Sequence, residues 1–413
     1  MSHRVNKCRF CGSKNFTKFL DLGRMPPADA FIDKEKICAE RSFPLEVVRC
    51  DNPGCNLVQL GYVVSPEILY QRDYPYESSM TKTGVEHFHG FARAVTREFG
   101  LKSSDLVIDV GSNVGVLLEG FKKEGVKILG VEPAPNICRI ANKRGIRSIN
   151  RFFNRAAASF ILRKHGKASI ITGTNVIAHI DNSHELVDSV RNLLKEGGIF
   201  VFEAPYLFDL IDNLEYDTIY HEHLSYFSVK PLAGLFARFD MQIFDVRKQS
   251  IHGGSLRYFV ARKGERKVSH RVENLLAFEK RGKVHALSTL NGFARRVADN
   301  RRALVELLQS LKKTGKRLVG VGAPAKGMTL LNYCNIGPDT LDYITEKSKL
   351  KIGRVTPGTH IRVVPDSRLI KDRPDYALLL PWNFADEIMA NLSEFTKQGG
   401  RFIIPIPRPQ IKG

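Results

Sequence analysis

The stretch 107–132 constrains the fold more than any other part of the chain. Leu106-Val107-Ile108-Asp109-Val110 is an apolar run of strand length, and it leads into Gly111-Ser112-Asn113-Val114-Gly115. A second apolar run, Ile128-Leu129-Gly130-Val131, ends in Glu132. Strand, glycine turn, helix, strand and terminal acid is the order of a Rossmann-type unit. Glycines at such a turn let the backbone approach a ligand that a side chain would strike. Dinucleotide sites share the glycines, but their G-x-G-x-x-G spacing serves a pyrophosphate. Here Gly111-x-x-x-Gly115 follows an acid two positions earlier, and Glu132 can accept both hydroxyls of a ribose. That combination suits S-adenosylmethionine, which has no phosphate to cradle, and implies a methyltransferase.

The alternation continues on both sides. Ala168-Ser169-Ile170-Ile171 and Ile199-Phe200-Val201-Phe202 read as further strands, separated by helical stretches at 137–143 and 186–195. Such alternation predicts a parallel sheet with crossover helices. Leucines, phenylalanines and valines at helical spacing predict a helical stretch over about 268–312. A second α/β series follows, with strands at Leu318-Val319-Gly320-Val321, Tyr343-Ile344, Ala377-Leu378-Leu379-Leu380 and Phe402-Ile403-Ile404. The fold class is α/β, with an N-terminal module, a central Rossmann-like unit and a second Rossmann-like unit. The boundaries read as 1–62, 63–285 and 286–413.

The first of these segments reads as loop-rich and carries five of the seven cysteines. Cys8-x-x-Cys11 and the wider Cys50-Asp-Asn-Pro-Gly-Cys55 can supply four thiolates to a structural zinc ion, with Pro53-Gly54 turning the second pair. The alternative is a set of isolated reduced thiols. Cys38 is left over and is expected to be a buried thiol. An odd number of cysteines and an N-terminus without the apolar core of a signal peptide point to the cytoplasm. The net charge of +20 favours polyanionic partners. The basic residues are spread along the chain, however, and the expectation is a protein without a nucleic-acid or membrane partner.

Tyr220-His221-Glu222-His223 is the densest titratable string, and it lies beyond the strand at 199–202. It should therefore sit near the sheet edge where ligands bind. His221 and His223 are two apart and would diverge on a helix, which argues against a metal site. A histidine beside a carboxylate can be oriented for proton abstraction.

Taken together, these motifs resemble the S-adenosylmethionine-dependent sugar C-methyltransferases that act on nucleotide-linked 4-keto deoxysugars. The resemblance spans the chain. It includes the four cysteines, Ala28-Asp29-Ala30-Phe31, Tyr74-Pro75-Tyr76-Glu77-Ser78-Ser79, the Asp109 turn, Asn175-Val176-Ile177-Ala178-His179 and Tyr220-His221-Glu222-His223. Later come His252-Gly253-Gly254-Ser255-Leu256-Arg257, Gly322-Ala323-Pro324-Ala325-Lys326-Gly327, Pro357-Gly358-Thr359-His360-Ile361 and Pro381-Trp382-Asn383. The resemblance implies methyl transfer to a ring carbon, C-3, through an enolate. His223 is then the base, with Tyr220 and Glu222 orienting it or handling the enolate oxygen. His179, Tyr74 and Tyr76 would line the pocket; the alternative is a helix-end histidine and packed rings.

Cofactor contacts are expected from Asp109, Gly111, Ser112, Asn113, Gly115, Glu132, Pro133 and Asn175. His221, His252, Gly253, Gly254 and Lys326 are expected to meet a dTDP-linked or other nucleotide-linked sugar, the glycine turn and the lysine at its diphosphate. The family leans monomeric. The sequence departs from the family pattern in its longer second cysteine pair, in Val114 where an acid is frequent, and in Glu346 where an aspartate is typical. The alternative function is a methyltransferase of RNA or another macromolecule, which the basic charge would suit.

Overall fold

The computed structural model describes residues 1–70, 74–75, 77–79, 81–249 and 253–413. Its central sheet has seven strands. In spatial order they are Met241–Gln249, Ser255–Arg262, Leu194–Pro205, Ala168–Thr174, Leu106–Val110, Lys127–Val131 and Ser148–Ile149. Ser255–Arg262 runs antiparallel to both neighbours, while the pairings from Leu194–Pro205 through Ser148–Ile149 are parallel. Successive side chains alternate between faces, as a strand requires. Val107, Ile170, Ile199 and Val201 join one buried cluster. Ile108, Ile171, Phe200 and Phe202 join another. Helices Lys82–Glu98 and Val116–Lys123 contribute Phe91, Leu117 and Phe121 to the first. The chain order reverses between Leu106–Val110 and Ala168–Thr174, so a crevice opens at their carboxyl ends.

The N-terminal segment is more regular than its sequence suggests. Phe16–Met25, Phe43–Cys50 and Val58–Leu60 form an antiparallel sheet. Register shifts between Lys18 and Leu20, and again between Asp21 and Arg24, break the alternation that would have revealed the first strand. The fourth strand of this sheet is Ser225–Tyr226, which belongs to the central unit and pairs with Val58–Leu60. Cys38, expected to be buried, is exposed, because it lies on a 3-10 turn, Lys34–Ala39, that buries none of its residues.

The helical stretch expected over 268–312 is two helices, His270–Arg281 and Leu287–Lys313. Between them Lys283 has a φ of 48°, which no continuous helix accommodates. The second α/β unit carries a six-stranded sheet in the order Val363–Pro365, Ile344–Glu346, Leu318–Val321, Tyr376–Leu379, Arg401–Ile404 and Gln410–Lys412. Its strands are parallel except for the last.

One apolar core ties all three segments together. Leu45 and Leu60 of the N-terminal sheet, Tyr216 and Leu224 of the central unit, and Phe293 and Leu330 of the C-terminal unit belong to the same buried cluster. Among the described residues no helix is long and apolar enough to cross a membrane.

Candidate active site

Asp109 is the penultimate residue of the first strand of the central unit, Leu106–Val110, and the glycine turn follows that strand. Gly111 has a φ of +67°, and a Cβ there would stand 2.5 Å from Val176 Cγ2. Gly115 has a φ of +84°, with Ile146 Cγ2 equally close. Both positions thus exclude any side chain on geometry and on space. Glu132, at the end of the next strand, accepts hydrogen bonds from the Asn113 and Ala134 amides at 2.9 and 2.8 Å. A carboxylate has about four acceptor positions, so two can still meet ribose hydroxyls. Asp109 accepts from Thr172 Oγ1 at 2.7 Å. Burial pushes both acids up to about 7, Asp109 being further raised by Glu132.

Three buried polar atoms around this turn find no hydrogen-bond partner among the described residues: Ser112 Oγ, Asn136 Oδ1 and Asn175 Oδ1. Asn175 is held in a left-handed conformation, φ 56°, with its amide on the Glu203 carbonyl. Asn113 Oδ1 accepts from the Ser78 amide at 2.9 Å. Pro133 offers its carbonyl to Asn150 Nδ2. Orphaned polar atoms, a glycine cradle and a strand-end acid fit S-adenosylmethionine. Val114, where the family often has an acid, is fully buried in the core and offers only its amide, to Asn113 Oδ1.

The string 220–223 lies on a loop that leaves the 3-10 turn Tyr216–Thr218. His223 Nδ1 is 2.7 Å from the Thr218 carbonyl oxygen. A carbonyl can only accept, so Nδ1 carries the hydrogen and Nε2 is the basic nitrogen of the neutral ring. The carboxylate expected to orient this histidine is engaged elsewhere: Glu222 accepts from Tyr74 Oη at 3.0 Å. The Tyr220 ring lies 4.0 Å, and the His179 ring 4.9 Å, from the His223 ring, centre to centre. His179 Nδ1 is 3.0 Å from Tyr70 Oη, and its buried Nε2 finds no partner among the described residues. Burial, then neighbouring His223, holds His179 well below the usual histidine range.

Glu222 is fully buried, and its carboxyl is pushed well up by burial and by Asp29, against the opposing pull of Tyr74 and Lys351. Asp29 comes from the N-terminal segment and Lys351 from the C-terminal unit; they pair at 3.2 Å, both side chains nearly buried. Lys351 also donates to the Ala323 carbonyl at 2.8 Å. All three segments therefore meet behind Glu222.

His221 differs from its expected substrate contact. It is 1% exposed, with Nε2 3.3 Å from the Phe43 carbonyl oxygen, and burial lowers it to about 4. A side chain two residues before His223 turns the opposite way, into the N-terminal sheet. The Gly253-Gly254 turn packs on carboxylates: a Cβ would stand 2.1 Å from Glu215 Oε1 at the first glycine and 2.6 Å from Asp209 Oδ2 at the second. Lys326 Nζ donates to Asn383 Oδ1 at 2.9 Å and lies 4.7 Å from the centre of the Trp382 ring. Tyr76 and His252 lie outside the described residues. The sequence reading missed Tyr70, Thr218 and Lys351. Tyr70 had a signal, an aromatic ring four positions before Tyr74. A backbone carbonyl and a lone lysine carried none.

The four cysteine sulfurs of the N-terminal module lie within 4.8 Å of one another. Cys8 and Cys55 are 3.8 Å apart, and Cys11 and Cys50 3.5 Å. Around a tetrahedral zinc ion with bonds of about 2.3 Å, sulfurs stand about 3.8 Å apart. The cluster fits the ion despite the longer second pair, because Asn52 folds the loop: its carbonyl accepts from the Cys55 amide and its Oδ1 from the Gly54 amide.

Three successive stretches of the chain match known families. Residues 8–70 match a zinc binding domain family, 85–246 a methyltransferase domain family, and 250–407 the C-methyltransferase C-terminal domain family. C-methyltransferase NovU of Streptomyces niveus is 35% identical over 409 residues, covering 98% of this chain and 97% of that protein. A ubiquinone biosynthesis O-methyltransferase of Glaesserella parasuis serovar 5 is 28% identical over 99 residues, 22% of this chain and 42% of that protein. The crystal structure of an S-adenosylmethionine-dependent methyltransferase from Clostridium acetobutylicum aligns with 44% of this chain and 92% of that one, at 18% identity and a TM-score of 0.34. The full-length match, the four clustered cysteines and the acid–glycine turn together place this chain in the family of S-adenosylmethionine-dependent C-methyltransferases that carry an N-terminal zinc-binding domain.

Proposed function

We propose that the protein methylates a ring carbon, C-3, of a nucleotide-linked 4-keto deoxysugar, with His223 as the base that forms the enolate. The observation that carries this reading is the contact between His223 Nδ1 and the Thr218 carbonyl, which leaves Nε2 as the basic nitrogen. A hydrogen α to a ketone is weakly acidic, so a neutral imidazole at hydrogen-bond reach can remove it. The electron pair moves onto the ketone oxygen. Tyr220, whose ring lies tilted against the base, or Glu222, whose burial favours its protonated form, donates to that oxygen. The bound cofactor supplies a sulfonium methyl, an electrophile for the carbon so exposed. Asp109, Gly111, Ser112, Asn113, Gly115, Glu132, Pro133 and Asn175 would hold the cofactor, and His179 and Tyr74 would wall the sugar. The same reading takes the chain as a cytoplasmic monomer that divides near residues 62 and 285, with the nucleotide on the C-terminal unit.

The test separates proton abstraction from transfer. Incubated in deuterium oxide with a 4-keto nucleotide sugar and without methyl donor, the protein should exchange the C-3 hydrogen. With donor present it should add one methyl and release S-adenosylhomocysteine. His223→Asn should slow both by about 10²–10⁴-fold and leave donor affinity unchanged. Wild-type exchange by that variant would remove the base assignment; absence of any methylated sugar with the native protein would remove the substrate class.

A further inference from the structure

The C-terminal unit holds the turn on which the candidate base depends. Three of its side chains grip 216–218. Trp382 Nε1 donates to Asp217 Oδ2 at 2.6 Å. Tyr216 Oη donates to Asn300 Oδ1 at 2.8 Å, and Asn300 is itself fixed through Nδ2 to the Pro405 and Pro407 carbonyls at 2.9 and 3.0 Å. The Tyr216 ring meets Tyr333 edge-on at 5.6 Å. Asp217 is fully buried, and the next residue's amide, that of Thr218, donates to the Glu215 carbonyl at 3.1 Å. Thr218 Oγ1 closes the turn onto the Glu215 carbonyl at 2.5 Å. The free end of this chain of contacts is the Thr218 carbonyl, which takes the hydrogen of His223 Nδ1.

Trp382 is placed with equal care. It begins the 3-10 turn Trp382–Phe384, and its ring packs beneath the Lys326 ammonium, which is tied to Asn383. Its indole N–H is directed across the boundary at the buried Asp217 carboxylate. Trp382 is the side-chain donor from another unit.

We propose that Trp382 is a positioning residue for His223: its indole N–H, through Asp217, fixes the Thr218 carbonyl and so selects the imidazole tautomer with the hydrogen on Nδ1. The C-terminal unit then acts on the proton-transfer step without touching the proton. The proposal rests on the reading of His223 as base only for its effect on turnover. Its effect on the tautomer is independent of that reading.

The experiment uses the full-length, zinc-loaded protein labelled with ¹⁵N-histidine, with the His223 signals assigned by their loss in His223→Asn. In the native protein one tautomer should dominate, with hydrogen on Nδ1. Trp382→Phe keeps an aromatic ring under Lys326 and removes only the donor. It should mix the tautomers and lower kcat roughly a hundredfold, the scale of a 1 Å misplacement, with KM changed less than about threefold. Asp217→Asn keeps the volume and is expected to move both readouts the same way; it decides the matter should Trp382→Phe not fold. A merely structural tryptophan would lower thermal stability and leave the His223 signals and kcat in place, and that result in a folded variant overturns the proposal. If His223→Asn retains turnover while Trp382→Phe still mixes the tautomers, the positioning stands and the base assignment fails.

Discussion

Glu132 shows how a single carboxylate can set the pH response of cofactor binding. It is nearly buried, both its oxygens face backbone amides, and burial still pushes it up to about 7. Asp109, on the adjacent strand, is raised to the same value. Between their ordinary values, 4.5 and 3.8, and about 7, the folded protein holds protons that the unfolded chain has released. Their contribution to stability is therefore complete at low pH and is lost as pH rises through 7. With Glu132 as the proposed ribose acceptor, cofactor affinity should run the other way, because ribose hydroxyls donate to the ionised form. Competition by one proton at a pKa of about 7 predicts roughly tenfold weaker binding at about pH 6 than at about pH 8. Isothermal titration calorimetry should show that slope in the native protein and a shallower one in Glu132→Gln, where Asp109 still titrates; a flat native profile would discard the assignment. Glu132 was legible in sequence because its position follows from strand order. The partner of His223 was not, because it is a carbonyl that every residue possesses and only the turn around Asp217 aims it. His221 shows the same limit: its neighbours in sequence announce chemistry, while its side chain turns into the N-terminal sheet.

At the scale of elements, one device occurs twice. In the central unit the acid ending the second strand grips the turn after the first, Glu132 on the Asn113 amide. In the C-terminal unit Glu346 accepts from the Ala323 amide at 2.8 Å, so the acid that replaces the family's usual aspartate makes the corresponding bond. These turns depend on glycine for backbone reach and for space. Gly111→Ala should cost about 1–3 kcal/mol through its left-handed φ, and more through the Cβ placed against Val176. Adding Val176→Ala removes the Cγ2 contact and should recover part of the second, because the Val176 Cβ that remains still stands 2.9 Å away, and should leave the first. Thermal unfolding of the two single variants and the double variant checks this; an additive double variant would mean the two side chains do not meet. The Rossmann elements could be read from sequence because their apolar runs are long and regularly spaced. The N-terminal sheet could not. Its longest strand changes register twice, and its edge strand, Ser225–Tyr226, is two residues supplied from far along the chain.

On the scale of the whole molecule, the zinc-binding module packs against the loop that carries the proposed base. Val58–Leu60 pairs with Ser225–Tyr226, the Phe43 carbonyl meets His221, and Asp29 faces Glu222. Removing zinc should thus abolish turnover as well as unfold the module, since metal binding and folding are coupled in small thiolate domains. Dialysis against a strong chelator, followed by metal analysis, circular dichroism and assay, should show zinc content and methyl transfer falling together. Full activity in zinc-free protein would show that the module and the catalytic loop are uncoupled. The shared sheet also has a consequence for shuffling such proteins. Because one strand of the N-terminal sheet is encoded next to His223, a swap of residues 1–62 alone would graft foreign strands onto a native edge. A viable hybrid must exchange 215–228 along with them, so two stretches remote in the gene are inherited as one block.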